Sequence, residues 1–233
     1  MDAATKWLAA YGSVLLLVLG LGACTVSQLE PGASLSPQPD TGLVVLSVTR
    51  SGWRDFDLQV ELQQEGSVLP HSIAIFARSR ARDWQGGEGP AALPEAPEGR
   101  LFVLKLKPGS YRIDRWSGHS KSGGLSGDGY DISSESMGIT FSVASGSIAY
   151  LGNLHIRLPK ALNYNANLMR ATYHVAVEEQ RERDLAMLRT KHPGTALEAI
   201  TAVPLQLAPP ERELRYFVYN LQVGSPNRQK KMQ

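Results

Sequence analysis

The chain has 233 residues, of which 42% are hydrophobic and 20% are charged, and its formal net charge is +2 at pH 7. This length suits one domain or slightly more, with enough apolar residues for a core. A net charge this small does not indicate a nucleic-acid partner. The chain has one cysteine, Cys24, so no disulfide can form within it and the domain must fold on its core alone.

The N-terminal segment has the parts of a secretory signal. Lys6 supplies a weak positive charge, residues 7–20 carry no charge, and small residues lead to Cys24. An uncleaved membrane helix is the first alternative, because the apolar residues 7–23 lie at the lower limit of the ~17–25 residues that span a bilayer. Glycines in the run disfavour that helix. An ordinary secreted protein is the second alternative.

The end of this segment, Leu21-Gly22-Ala23-Cys24, resembles the lipobox of bacterial lipoproteins. The resemblance implies cleavage between Ala23 and Cys24. It also implies a covalent diacylglycerol on the sulfur of Cys24 and an acyl chain such as palmitate on its amine, which together anchor a protein stably to a membrane. No other cofactor is expected. Thr25 replaces the aspartate that commonly retains lipoproteins in the inner membrane, which favours the outer membrane, facing the periplasm.

Composition divides the chain into four parts. We predict a signal peptide over residues 1–23 and a lipidated cysteine with a flexible tether, rich in Pro, Gly and Ser, over residues 24–42. A β-sandwich domain follows over residues 43–223. A basic, flexible tail ends the chain over residues 224–233.

The domain begins with strand patterns. Residues 43–48 are apolar and β-branched, and residues 56–63 alternate between apolar and polar, as on a strand with one wet face. Residues 71–78 are a third candidate. Residues 101–107 and 110–116 flank Pro108-Gly109 and predict a hairpin closed by a type II turn.

Later segments add further strands and one helix. Strands are predicted over residues 139–144, 148–158, 173–177 and 214–221. A helix is predicted at about residues 179–192, because a charged stretch ends at His192-Pro193-Gly194. Leu185 and Leu188 would form its apolar stripe.

These elements predict a mostly β fold, an antiparallel β-sandwich with one helix near the C-terminal third. Residues 104–113 and 141–153 resemble the strand-turn-strand segments of transthyretin-like and carboxypeptidase-regulatory-like sandwiches, which occur in uncharacterised envelope lipoproteins. The resemblance implies an immunoglobulin-like or transthyretin-like sandwich. It implies no activity.

The sequence predicts neither catalytic residues nor metal ligands. Residues 119–129 are rich in glycine but lack the spacing of a phosphate-binding loop, and no Gly-x-Ser-x-Gly or His-Glu-x-x-His occurs. His155 and His174 fall on the polar phase of their strands and are expected to face solvent. They would approach each other if those strands pair, but two histidines alone make a poor metal site.

The sequence favours a lipid-anchored, non-catalytic binding or assembly module whose partner is an envelope protein or a glycan. Contacts are expected from two long loops, residues 79–99 and 118–129, which carry side chains suited to stacking or ion pairing. The candidate contact residues are Arg80, Arg82, Trp84, His119, Lys121 and Tyr130. An envelope hydrolase acting on glycan or peptide, and an accessory lipoprotein of a secretion or appendage machine, are the alternatives.

Overall fold

The computed structural model describes residues 27–52, 57–67, 71–76, 83–84, 97–120, 130–158, 168–209 and 211–220. They form a mostly β fold, as predicted from the sequence. The strands are β1 (Ser27–Gln28), β2 (Gly42–Ser51), β3 (Asp57–Gln64), β4 (His71–Phe76), β5 (Glu98–Leu106), β6 (Gly109–Ser120), β7 (Tyr130–Ser134), β8 (Ile139–Val143), β9 (Ile148–Arg157), β10 (Leu168–Glu178), β11 (Ile200–Ala202) and β12 (Glu211–Asn220). The helix α1 (Arg181–Lys191) and a 3₁₀ helix (Leu197–Ala199) lie near the C-terminal third.

The strands form one hydrogen-bonded sheet that folds into two layers. The first layer has the order β1-β5-β2-β9-β10-β12, and the pairing of β12 with β7 leads into the second layer, β7-β6-β3-β4, with β8 on β6. Most pairs are antiparallel, but β9 pairs in parallel with β2 and with the short strand β11. The main core lies between the layers, where Val44, Phe102 and Leu154 of the first layer share a cluster with Val60 and Trp116 of the second. The predicted mostly β class is confirmed and the two layers have a sandwich-like arrangement, whereas the immunoglobulin-like or transthyretin-like topology stays a prediction.

The sheet has two distinct ends. The connections β3–β4, β5–β6 and β8–β9 lie at one of them, which we call the turn end. The connections β2–β3, β4–β5, β6–β7 and β9–β10 lie at the other, which we call the loop end. Register links the strands along the loop end, since Arg50 lies opposite Glu98, Ser51 opposite Arg157, and Ser120 opposite Tyr130.

The predicted hairpin around Pro108-Gly109 is wrong. Strand β5 pairs with β1 and β2 in the first layer, whereas β6 pairs with β3, β7 and β8 in the second. The turn therefore carries the chain across the core from one layer to the other. The same sequence pattern fits a hairpin within one layer and a connection between two layers. In both cases each strand buries one face in the same core.

The segment predicted as a flexible tether differs from that prediction over residues 27–42. Strand β1 adds to the edge of β5, and the amide of Leu29 donates to the carbonyl of Val103 at 2.8 Å. Leu35 is 9% exposed and joins a second apolar cluster under α1. The amide of Gly32 donates to the carbonyl of Lys191 at 2.7 Å. Scattered apolar residues and backbone groups thus dock a segment whose composition is typical of a linker.

The outer face of the first layer is covered by α1, where the sequence predicts a helix. Leu188 is fully buried there and Leu185 is partly buried against the second apolar cluster. Strand β2 is buried along its whole length, because the core covers one face and α1 with its neighbours covers the other. Among the described residues no helix is long and apolar enough to cross a membrane.

Candidate functional site at the loop end

The two loops predicted to bind a partner start and finish at the same end of the sheet. Trp84 bridges to Gly99 at the start of β5, and β6 and β7 meet where Ser120 lies opposite Tyr130. His119 lies in β6 opposite Asp131 of β7. Of the other predicted site residues, Arg80, Arg82 and Lys121 lie outside the described residues, as do Ala23 and Cys24.

A bulge at Gly152 assembles a polar cluster on the outer face of the first layer. The register of β2 against β9 shifts there, from Val45 opposite Tyr150 to Ser47 opposite Asn153. Gly152 has a φ of +98°, which a residue with a Cβ adopts only with strain. The shift turns both Tyr150 and Asn153 toward the helix side. We call the resulting group the outer polar cluster; it contains Ser47, Thr49, Ser51, Tyr150, Asn153, His155, Arg183 and Asp184.

Asp184, in the first turn of α1, holds one end of this cluster. Its carboxylate is fully buried and accepts from the hydroxyls of Ser47 at 2.5 Å and Tyr150 at 2.8 Å. Arg183 donates to its other oxygen from Nε at 2.9 Å. Burial, reinforced by the neighbouring carboxylate, raises the pKa of Tyr150 far above its ordinary value, so the phenol remains a donor. Asp184 therefore latches α1 onto the sheet.

His155 lies at the other end of the outer polar cluster. Its Nδ1 is 2.8 Å from the hydroxyl of Thr49 and its Nε2 is 3.1 Å from the hydroxyl of Ser51. Burial lowers the pKa of His155, and Arg157 and Arg183 lower it further, although the carboxylate of Glu178 opposes them. The imidazole is thus neutral at pH 7.

The prediction that His155 faces solvent is wrong. Its side chain does lie on the polar phase of β9, but that face is covered, and the residue is only 6% exposed. His174 on β10 has a half-exposed side chain within 3.4 Å of Glu213. The strands do pair, but His155 lies opposite Ala176. Within the described parts of the chain, no group of three His, Cys, Asp or Glu side chains is placed to hold a metal ion.

The contact between Ser51 and His155 has the spacing of a nucleophile and its base. A triad also needs a group that orients the imidazole, commonly a carboxylate on the far nitrogen. Here that nitrogen faces the hydroxyl of Thr49, which also accepts from the amide of Asn153 at 3.0 Å. The hydroxyl, amide and imidazole groups satisfy one another's hydrogen bonds, and they join β2 to β9.

Trp84 connects the loop end to Arg183 and Asp184 of the outer polar cluster. The guanidinium of Arg183 lies 4.3 Å from the centre of the Trp84 ring, while its Nε and Nη2 donate to Asp184. A cation stacked on an indole is attracted by the negative face of the ring. The predicted contact residue Trp84 is therefore tied to the first turn of α1.

A second group of charges lies on the opposite, inner face at the loop end. Arg50 and Glu98 form an ion pair, with 2.5 Å between Nε and Oε1, and their side chains are 1% and 0% exposed. Arg100 lies two residues further along β5, with its guanidinium 5.3 Å from the centre of the Phe102 ring. We call these three residues, Arg50, Glu98 and Arg100, the inner charged cluster.

The sequence contained a signal for the inner charged cluster that the search for motifs missed. Arg50 continues the inward phase of Val44, Leu46 and Val48 along β2. Glu98 and Arg100 likewise precede Phe102 and Leu104 in phase along β5. Charges that extend the buried phase of two apolar strands indicate a buried ion pair between those strands.

Comparison with known proteins gives no relative on which to rest an identification. No family model matches the chain, no curated protein matches it, and no solved structure matches it.

Proposed function

We propose that this protein is a lipid-anchored, non-catalytic binding module of the bacterial cell envelope, held in the outer membrane through Cys24 and facing the periplasm. Its partner is an envelope protein or a glycan, bound by the loops at the loop end. The direction of β1 supports this proposal most directly, because it relates the position of the anchor to that of the loops.

Strand β1 enters the sheet from the turn end. Ser27 lies opposite Lys105 and Gln28 opposite Leu104, so the chain runs from the end of β5 towards its start. Cys24 precedes Ser27 by three residues, and three residues of extended chain span at most about 11 Å. A lipid on Cys24 would therefore attach within about 11 Å of Ser27, which lies at the turn end.

The loops lie at the far end of the same sheet. Strand β2 runs between the two ends with 10 residues. At a rise of ~3.3 Å per residue, this corresponds to a separation of about 30 Å. A domain anchored beside the turn end presents the loop end away from the bilayer, where a periplasmic partner has access to it.

Loop replacement tests where the partner binds. Ser120 and Tyr130 are opposite each other in the ladder, so a two-residue Asn-Gly turn in place of residues 121–129 closes β6 onto β7 as a hairpin. In a separate variant a short Gly-Ser link replaces residues 85–96 and Arg80 and Arg82 are changed to Ala, while Trp84 and Glu98 stay in place. We expect both variants to melt cooperatively and to lose cross-linking to the partner in intact cells.

The matched control changes the turn end. Ser145-Gly146 is replaced by Asn-Gly, which keeps the turn between β8 and β9 and a glycine at its positive φ of +64°. This variant should retain cross-linking. Unchanged cross-linking in both loop variants would place the interface elsewhere and contradict the proposal.

The anchor is tested separately on the intact protein. Cys24→Ala should abolish lipidation and cleavage, whereas the wild-type N-terminus should carry a diacylglycerol by mass spectrometry. Detection of an unmodified cysteine, or of a chain that still begins at Met1, would refute the anchored module.

A further inference from the structure

We propose that Arg100 is a binding residue at the loop end, and that it takes an oxyanion, a carboxylate or a phosphate group, of the module's partner. The inference deepens the proposed function and rests on it for the existence of a partner. The affinity of Arg100 for an oxyanion can be measured with or without that partner.

The guanidinium of Arg100 is buried without satisfying its donors. Its Nε and Nη1 are shielded from solvent, and neither has a hydrogen-bond partner among the residues that the structure describes. The residue as a whole is only partly buried. Because donors withdrawn from water are almost always paired in folded proteins, this group is suited to receive an acceptor from outside.

The acid nearest to Arg100 in register is already paired with another arginine. Glu98 is the nearest acid in register, but it is bound to Arg50, which lies directly opposite it on β2. Arg100 itself lies opposite Val48, an apolar residue. Among the described residues, the carboxylate nearest to Arg100 in register is thus held by Arg50, and no described acceptor bonds to the Nε or Nη1 of Arg100.

The surroundings of Arg100 strengthen its attraction for an anion. The ring of Phe102 lies below the guanidinium and is completely buried. An apolar floor excludes water, and a charge interacts more strongly across such a surface than across solvent. A planar guanidinium also offers donors in a fixed fork that matches carboxylate and phosphate groups.

The position of Arg100 connects this chemistry to the loops. Arg100 is one residue beyond Gly99, whose amide and carbonyl bridge to Trp84. A partner bound between the two loops at this end would meet the start of β5. Arg100 therefore adds an electrostatic contact to the stacking residues expected from the sequence.

The experiment uses the full chain solubilised in a neutral detergent. Sodium acetate and sodium phosphate are titrated in separate arms against sodium chloride at constant ionic strength. The readouts are the Nε–H resonances of the arginines and the melting temperature. The variants are Arg100→Met and Arg100→Lys. The matched control is Arg112→Met, which removes a half-exposed arginine paired with Asp114 on the second layer.

We expect the Arg100 resonance to shift saturably in at least one arm, with a midpoint in the millimolar range. A response to acetate alone identifies a carboxylate, and a response to phosphate alone a phosphate group. Arg100→Met should lose the saturable rise in melting temperature, Arg100→Lys should weaken it about tenfold, and Arg112→Met should retain it.

An Arg100 resonance that responds in neither arm would overturn the proposal. This includes the case in which a carboxylate of the same chain already holds the guanidinium. An equal saturable response in Arg100→Met would overturn it as well. If Arg100→Met fails to fold, the wild-type resonance and Arg100→Lys still decide the question. None of these outcomes depends on loop replacement, so failure here is distinguishable from failure of the proposed function.

Discussion

Among the described residues, the buried polar groups of the outer polar cluster are hydrogen-bonded, but those on the inner face of the first layer are not all paired. On the outer face, the carboxylate of Asp184 is matched by donors from Ser47, Tyr150 and Arg183. On the inner face, the inner charged cluster has one carboxylate for two guanidinium groups, and the Nε and Nη1 of Arg100 have no described partner. The outer polar cluster holds α1 on the sheet, whereas the inner charged cluster has Arg100 donors with no described acceptor, and in our proposal these bind an oxyanion of the partner.

This difference separates structural from functional polarity. A satisfied network stabilises one conformation, and its loss should reduce stability without changing binding. A buried donor without a partner costs stability, and such exceptions are found mainly at functional sites. Substitutions on the two faces should therefore respond differently, and the following predictions run from the largest effect to the smallest.

Glu98→Gln should cause the largest loss of stability. It removes the buried carboxylate that pairs with Arg50, whose side chain is 1% exposed. Breaking a buried pair from one side commonly costs about 3–5 kcal/mol, which urea denaturation would detect. Glu61→Gln is the control, because its pair with Arg115 is partly exposed and should be worth about 0–1 kcal/mol. Equal midpoints for the two variants would contradict the assigned role of Glu98.

Asp184→Ala should cost about 2–4 kcal/mol, because the buried hydroxyls of Ser47 and Tyr150 lose their acceptor. The matched control is Glu182→Ala, which removes an exposed acid from the same first turn of α1 and should change stability by less than about 0.5 kcal/mol. Both free energies come from denaturant titration. A similar loss of unfolding free energy in the two variants would mean that Asp184 does not hold α1 on the sheet.

Acidification should destabilise the protein through His155. Its pKa is lowered in the fold by burial, while the unfolded chain titrates near 6.5. Below that pH the unfolded state binds more protons, so the stability contributed by the neutral ring is lost, by at most about 1.4 kcal/mol per pH unit. His155→Gln should flatten the dependence of the unfolding free energy on pH. If the unfolding free energies of wild type and His155→Gln change equally between pH 5 and 7, His155 is not the source of the acid destabilisation.

Trp84→Ala should have the smallest effect on the fold. It removes the ring on which Arg183 stacks, a contact worth about 0.5–2 kcal/mol. Trp84→Phe should recover part of that stability, because a smaller ring still offers a negative face. Thermal melts of both variants measure the difference. An unstable Trp84→Ala variant would show that Trp84 supports the fold far more than one stacked pair can.

The sequence by itself determined the mostly β class, the helix α1 and the approximate positions of most strands, although it predicted none at β1, β7 or β11 and assigned the loop-end residues of β5 and β6 to loops. These follow from periodicity and stop signals, which depend on neighbouring residues only. The apolar phases of β3 and β8 and the helix stop at His192 are examples, since Leu58, Val60 and Leu62 are buried as the alternation predicts. The lipobox is equally local and stays a prediction about Cys24.

Only the tertiary structure decided which strands pair and what each polar face meets. Local pattern could not show that Pro108-Gly109 crosses between layers, that residues 27–42 dock, or that the polar phase of β9 is covered. It also could not bring Asp184 to Ser47, which lies 137 residues away in the chain. Such contacts depend on packing between distant segments, so the outer polar cluster formed where the sequence shows only isolated polar residues.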